Sequence, residues 1–440
     1  MKNLNLLEDN TKKLFINFAL PGVISALAMC LYGIVDGIIL GRFVNSNALA
    51  AVNMASPIFN IISCFGILIA IGGNTLTGIS LGQKDIKKAN NYFNNSFFTL
   101  FLVSILIFII IVFFPNLIAK LVGANDSLLP LVSKYIQTFG FFIIPICLNI
   151  LLGISLQSIG KPSLYMIGNM LSVFINIVLD IIFVCFLNMG IFGAALSSGI
   201  SATLVFLVFL LQFINQKSIL RIRKFTINLK AVLHMAYNGS SEAITQFSSG
   251  FSAMIFNWIL ITKFGEVGVS SFSIVQYISL VVTAIIMGMS RGITPIISVN
   301  YGANYYKRIK ELISLSIKIV TIIGGLAALI LIIFKIQLIS IFIRDNVDVI
   351  NTSSEIIKYY SLSFLFIGSN IILNSFYTAI NDPKTSAILS ILRYVLLICS
   401  FFVLPYIMGN VGLWLSFSVA ELLCLFISLV YYKNTSSKFI

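Results

Sequence analysis

The chain is a succession of long apolar runs separated by short polar breaks. Twelve runs reach the roughly 20 residues needed to cross a bilayer of about 30 Å. They are centred near Met29, Ile62, Leu102, Ile144, Val173, Thr203, Ser249, Val281, Ile323, Ile367, Ile398 and Leu423. The pattern predicts an all-α integral membrane protein with twelve transmembrane helices. Several runs also carry polar residues three or four positions apart, which puts them on one helical face. Span 5 has Asn169, Ser172, Asn176 and Asp180. Span 1 has Asn17, Pro21, Ser25, Tyr32 and Asp36, span 7 has Asn238, Glu242, Gln246, Ser249 and Asn257, and span 10 has Asn370, Asn374 and Tyr377. Such stripes predict an aqueous interior. Pro21 removes a backbone hydrogen bond and predicts a kink or a loosened turn in span 1; Pro145 and Pro295 mark spans 4 and 8 in the same way.

The sequence repeats at half its length. Ser80-Leu81-Gly82-Gln83-Lys84 matches Asn300-Tyr301-Gly302-Ala303-Asn304, Gly160-Lys161-Pro162 matches Asn381-Asp382-Pro383, and Gly193-Ala194-Ala195-Leu196 matches Gly412-Leu413-Trp414-Leu415. Six spans per half is an even number, so the halves share an orientation and a pseudo-two-fold axis along the membrane normal. The expected division is an N-terminal lobe at 1–214, a cytoplasmic linker at 215–230 and a C-terminal lobe at 231–440.

Composition agrees with the pattern. The chain is 59% hydrophobic and only 10% charged, with mean hydropathy +1.04, where a soluble protein carries about 25% charged residues. The net charge of +14 reads as topology and not as a nucleic-acid surface. The breaks on the N-terminal side hold Lys2, Lys12, Lys13, Lys84, Lys87, Lys88, Lys217, Arg221, Arg223, Lys224, Lys307, Arg308, Lys310 and Lys438. The opposite breaks hold fewer bases, among them Arg42, Lys120, Lys263 and Arg344. The positive-inside rule then puts both termini in the cytoplasm. The start, with Glu8 and Asp9, has no signal-peptide pattern. The six cysteines stand singly in apolar runs as packing residues. With one histidine, no Cys/His metal spacing and no Ser-His-acid set at one depth, no enzyme and no cofactor is expected.

The intramembrane acids are the candidate chemistry. A carboxylate at mid-membrane costs roughly 2.5–3.5 kcal/mol on insertion scales and usually marks an ion or proton pathway. At about 1.5 Å per residue, Asp36 lies about 9 Å below the outer surface, Asp180 about 10 Å and Ser198 near 12 Å. Asp36, Asn176, Asp180 and Ser198 therefore reach one level in the first bundle. Carboxylate, amide and hydroxyl oxygens suit a proton or a hard cation such as Na+, and two nearby carboxylates in apolar surroundings resist double ionisation. The competing reading is that each Asp only hydrogen-bonds a neighbouring helix. The second half answers Asp36 with Asn257, each seven residues before a Phe, and has no acid across 391–403, so the site is expected in the first bundle only. Glu242 either pairs with Arg291 at similar depth or meets substrate. Glu421 and Arg393 are expected to form a structural ion pair, Lys318 to snorkel, and His234 to sit at the interface.

These residues carry a resemblance. Leu31-Tyr32-Gly33-Ile34-Val35-Asp36-Gly37-Ile38-Ile39-Leu40-Gly41 resembles the signature of the multidrug and toxic compound extrusion (MATE) transporters. So do Ser80-Leu81-Gly82, Gly160-Lys161-Pro162, Asn176-Ile-Val-Leu-Asp180 and Gly193-Ala-Ala-Leu-Ser-Ser198. The Asn-x-x-x-Asp pair points to the DinF-like/MepA-like branch. The resemblance covers the whole chain. It implies two six-helix lobes forming a V around a cleft, and antiport of organic, often cationic, compounds against H+ or Na+ by alternating access. It implies cation-site roles for Asp36, Asn176 and Asp180, and for Ser198 where the branch often has Thr. The cavity residues expected to meet substrate are Tyr32, Glu242, Gln246, Asn257, Asn370 and Asn374. The implied setting is a monomer in the bacterial cell membrane, with small organic substrates and the lipid bilayer as partners. The alternative is a lipid-linked oligosaccharide flippase of the same superfamily. Such cavities are strongly cationic, whereas Arg291, Lys318 and Arg393 are the only bases embedded here.

Overall fold

The computed structural model describes residues 4–44, 46–124, 126, 128–216, 218–223, 227–343 and 346–437. Lys2, Lys217, Lys224, Arg344 and Lys438, counted above among the flanking charges, lie outside the described residues. The helices are α1 (Thr11–Phe43), α2 (Ser46–Gly82), α3 (Ile86–Phe113), α4 (Pro115–Leu121), α5 (Leu129–Gly140), α6 (Ile143–Ser158), α7 (Pro162–Asp180), α8 (Gly190–Ile214), α9 (Leu229–Gly302), α10 (Tyr306–Ile333), α11 (Lys335–Ser340), α12 (Val347–Tyr360), α13 (Phe364–Ala379) and α14 (Pro383–Ser437). A π-helical turn, Ile181–Phe186, extends α7, and a 3₁₀ turn, Ser361–Ser363, joins α12 to α13.

At 74 and 55 residues, α9 and α14 are too long to cross a bilayer once, since 20 residues already span about 30 Å. Each folds back at a glycine in the left-handed region, Gly265 (φ 59°) and Gly409 (φ 59°), which a side chain would strain. The pairing proves the hairpin. Ser416 Oγ donates to Ser400 O at 2.9 Å across Gly409, and Phe256 meets Phe272 across Gly265 with ring centroids 4.5 Å apart. Helices α5 and α6 make one span bent by 53°. The break falls at Phe141, four residues before Pro145, where a proline ring clashes with the carbonyl. The spans therefore number twelve, and the chain begins and ends on one face, called here the termini face. Pro57 also frees a carbonyl, that of Asn53, but Ser56 Oγ donates to it at 2.8 Å and α2 continues.

The repeat is written in the backbone. Lys84 and Asn304 (φ 60° and 61°) are equivalent left-handed turn residues; so are Gly160 and Asn381, and Gly190 and Gly409. Their hydrogen bonds match as well: Asp85 N–H donates to Ser80 O at 3.0 Å, and Tyr305 N–H to Asn300 O at 2.9 Å. Burial follows the same register. In α1, Phe15, Phe18, Ala19, Asp36, Ile39 and Leu40 are buried; 220 residues on in α9, so are Met235, Asn238, Gly239, Phe256, Ile259 and Leu260.

The two six-span lobes join near the termini face. A methyl group added at Gly72 of α2 would sit 2.0 Å from Met235 O of α9, and Ser96 Oγ of α3 donates to Met235 Sδ at 3.0 Å. Span 1 belongs to both lobes. Leu14, Phe15, Phe18 and Ala19, before Pro21, pack into the core of the second lobe with Ile293, Ile296 and Ile297. Ile39 and Leu40, beyond Asp36, pack with Val184 and Ala194 of the first.

Candidate functional site

Three helices converge in the first lobe. Helix α7 places Asn176 and Asp180 one turn apart on a single face, α8 brings Ser197 and Ser198, and α1 brings Tyr32 and Asp36. Asp180 is wholly buried, and Asn176, Ser198 and Asp36 are buried beside it. Ser197 Oγ donates to Asp180 Oδ1. In the amide orientation that satisfies both of its ends, Asn176 Nδ2 donates to Asp180 Oδ2 at 3.2 Å and Oδ1 accepts from Ser198 N–H at 3.2 Å. Asp36 and Asp180 are close enough for each carboxyl group to influence the other. Asp36 Oδ1 has no hydrogen-bond partner among the described residues. Immediately after Asp180 the helix widens into its π-helical turn, a local irregularity frequent at functional positions.

A cavity of about 420 Å³ lies between the lobes and is lined from both. Tyr32 and Ser198 line it and are hydrogen-bonded to each other, Oη to Oγ at 2.9 Å. The same Ser198 whose backbone N–H donates to Asn176 therefore also lines the cavity. Asn169 and Ser172 line the cavity too, so the polar stripe of span 5 runs from the open space down to Asp180. From the second lobe, Glu242, Gln246 and Arg291 line it. Glu242 and Arg291 interact at a distance, but no ion pair joins them; the ion pairs among the described residues are Lys13–Asp9 and Arg393–Glu421.

Three of the expected cavity residues stand elsewhere. Asn257 is exposed and is not the counterpart of Asp36: the buried register assigns that place to Phe256, because one residue of slip turns a helix by 100° and carries the amide off the inner face. Asn370 is committed to Glu421, donating to its Oε2 at 2.7 Å and its backbone O at 2.9 Å. Asn374 donates to Ser390 Oγ at 3.0 Å and accepts from Ser386 Oγ at 2.6 Å. Arg393 and Glu421 form the expected pair, with Nη2 2.5 Å and Nε 2.6 Å from Oε1. His234 sits between lobes, with Nε2 3.3 Å from Asn381 Nδ2 and its ring edge-on to Tyr92. Lys318 is exposed, and the six cysteines are free.

Two site residues were missed from sequence. Ser197 was passed over for its neighbour Ser198, although adjacent helix positions point 100° apart and both reach the site. Tyr135, buried on α5 and near enough to Tyr32, Asp36 and Asp180 to feel their charge, lies in a span whose polar pattern the bend interrupts.

The repeat shows what the second lobe has in place of this site. By the same offsets Asp36, Asp180 and Ser198 correspond to Phe256, Phe401 and Phe417. Their rings pack together, 4.6 Å between Phe256 and Phe401, 5.0 Å between Phe256 and Phe417, and 5.3 Å between Phe401 and Phe417.

Two lobes of six helices around a shared cavity, with paired acids set into one wall, define a membrane transporter and not an enzyme. The sequence model of the MatE family matches residues 21–182 and 243–403, and the chain belongs to the MATE family. It is 27% identical over 425 residues to the multidrug export protein MepA of Staphylococcus haemolyticus, covering 96% of this chain and 93% of that one. An outward-facing multidrug resistance MATE transporter of the MOP superfamily superposes with a TM-score of 0.93 at 20% identity, covering 100% and 99% of the two chains. A MATE structure in the straight conformation does so with 0.92, at 20% identity and the same coverage.

Proposed function

We propose that this chain is a secondary active multidrug exporter, an antiporter of organic, often cationic, compounds against H+ or Na+ by alternating access. The observation that carries the proposal is Ser198, which is one hydrogen bond from Tyr32 on the cavity wall and one from Asn176 in the acid pair. Occupancy of the carboxyl pair and occupancy of the cavity thus act on the same side chains, and coupling requires that each ligand favour a different arrangement of shared elements. Asp36 and Asp180 hold the coupling ion, a proton or Na+. Asn176 and Ser198 supply neutral oxygens to it. Two carboxyl groups near each other in apolar surroundings resist double ionisation, which favours a proton or cation shared by them. Tyr32, Glu242 and Gln246 face the transported compound. Pro21 supplies compliance between the part of span 1 packed on the second lobe and the part carrying Asp36. The relatives' export of drugs supports the substrate class. The wall favours it over an oligosaccharide diphosphate, since Arg291 stands there opposite Glu242.

The proposed setting is a bacterial cytoplasmic membrane, with a monomer of two lobes at 1–214 and 231–440 joined by the 215–230 linker. Both termini lie in the cytoplasm, as the basic termini face requires. The test is ethidium flux in proteoliposomes under separately imposed pH and Na+ gradients. Wild type should export under at least one of them, and Asp36→Asn and Asp180→Asn should each reduce flux to that of protein-free vesicles while remaining folded. Wild-type flux from either variant would overturn the assignment.

A further inference from the structure

The segment ahead of α1 is bound to the wrong lobe. Residues 4–9 precede the first span of the first lobe, yet their contacts lie mainly on the second. Arg308, at the start of α10, donates from Nη2 to Asp9 O at 2.6 Å and Leu6 O at 3.3 Å, and from Nε to Asn300 Oδ1 at 2.9 Å. Asn300 Nδ2 in turn donates to Leu6 O at 3.0 Å. Thr11 Oγ1 donates to Glu311 Oε2 at 3.2 Å. Leu6 is buried in the second lobe's core with Ile296, Ile297 and Ile309. At its other end Leu4 N–H donates to Gly160 O, in the α6–α7 turn of the first lobe, at 3.3 Å. The segment is preformed: Asn5 N–H donates to Asp9 Oδ2 at 2.9 Å, and Asp9 N–H returns to Asn5 O at 3.0 Å.

The repeat supplies the comparison. The segment ahead of α9 is the interlobe linker, and it too rides on the opposite lobe, at the start of α3, the helix equivalent to α10. Asn90 donates to Ile219 O at 2.9 Å and accepts from Arg221 N–H at 2.8 Å. Asn94 does the same with Arg221 O at 2.8 Å and Arg223 N–H at 2.7 Å. Both segments then enter their helices through an asparagine N-cap, Asn10 and Asn228. The linker is tied to the first lobe by the chain itself. The N-terminal segment has no such tie to the second, and side chains of that lobe make the bond in its place.

We propose that residues 4–9 are a latch that holds the termini face shut and sets how often it opens. Separating the lobes there either draws the start of α1 off the second lobe, breaking the Arg308 and Asn300 contacts, or leaves it in place and breaks the segment's bond to the first lobe, Leu4 N–H to Gly160 O. Either event is a step that a chain lacking the segment does not have. The proposal goes beyond the transport reading and does not rest on the acid pair, and its test uses neither gradient nor substrate.

Spin labels at the repeat-equivalent positions 87 and 307 (K87C and K307C, with the native cysteines replaced) report the separation of the lobes at the termini face. The wild-type chain should show one short distance. Deletion of residues 2–9 removes no residue of a span and keeps the Asn10 cap; it should raise the long-distance population at least threefold. Arg308→Gln should produce most of that rise, and Arg308→Gln within the deletion should add nothing. An unchanged distribution in the deletion overturns the latch. So does an Arg308→Gln effect that persists undiminished in the deleted chain, since Arg308 would then act through something other than the segment.

Discussion

Gly22 of α1 and Gly288 of α9 meet backbone to backbone: a methyl group at Gly22 would sit 2.1 Å from the Gly288 carbonyl oxygen. This is where span 1 crosses the second lobe, one residue after Pro21. Gly33, eleven residues on in the same helix, has nothing within 4 Å of an added methyl. Gly22→Ala should therefore lower the unfolding midpoint in detergent, since overpacking costs about 1–3 kcal/mol. Gly33→Ala should raise it slightly, because Gly costs about 0.5–1 kcal/mol against Ala within a helix. Equal shifts in the two variants would show that the crossing is not tight.

Glu421 is held by Arg393 and Asn370 together. Glu421→Gln should destabilise the protein strongly, because removing one partner of a buried pair costs about 3–5 kcal/mol. Arg393→Met with Glu421→Leu should recover part of that loss. Thermal unfolding of the four forms makes a double-mutant cycle, and strictly additive losses would mean that the pair is not coupled.

Ser197 reaches the acid pair only through Asp180. Ser197→Ala should reduce gradient-driven flux about 10-fold or more, as a hydrogen bond to a charged group is worth about 1.5–3 kcal/mol. Ser197→Thr keeps the hydroxyl and should retain most of the activity. Flux measured at several pH values separates this from a folding defect: the alanine variant should show a displaced pH profile, and the threonine variant should not. An alanine variant with the wild-type profile would remove Ser197 from the site.

Charge at Asp36 and Asp180 should decide the position of span 1. With spin labels at positions 42 and 263, on the ends of spans 1 and 7 away from the termini face, the wild-type distance distribution should change between pH 5 and pH 8 or on adding Na+. The ionised, empty pair repels itself and draws in water, whereas the neutralised pair packs against Asn176 and Ser198. The Asp36→Asn/Asp180→Asn protein should be insensitive to both. An identical response in that variant would place the sensor elsewhere.

The spans, the repeat and the buried acids of the candidate site were legible because each is a local property: apolar length, a turn sequence recurring at 219–221 residues, a carboxylate where lipid should be. What required tertiary structure was azimuth. Asn257 looked like the partner of Asp36 because both precede a Phe by seven residues, and only burial shows that Phe256 holds the inner position. Asn370 and Asn374 form a stripe, as read, but the stripe faces Glu421, Ser386 and Ser390 inside the second lobe, and periodicity alone does not say which side of a helix meets a neighbour. Tyr135 was hidden by the bend at Phe141, and the grip of Arg308 on the N-terminal segment joins residues 299 apart in the chain.

The trio Phe256, Phe401 and Phe417 has a mechanical consequence. Packed rings carry no proton and bind no ion, so the place in the second lobe that answers to Asp36, Asp180 and Ser198 has nothing there to titrate. On the proposed coupling, the two halves of the repeat would then divide the labour of a stator and a moving part, with the applied force entering through the half that carries the carboxyl pair.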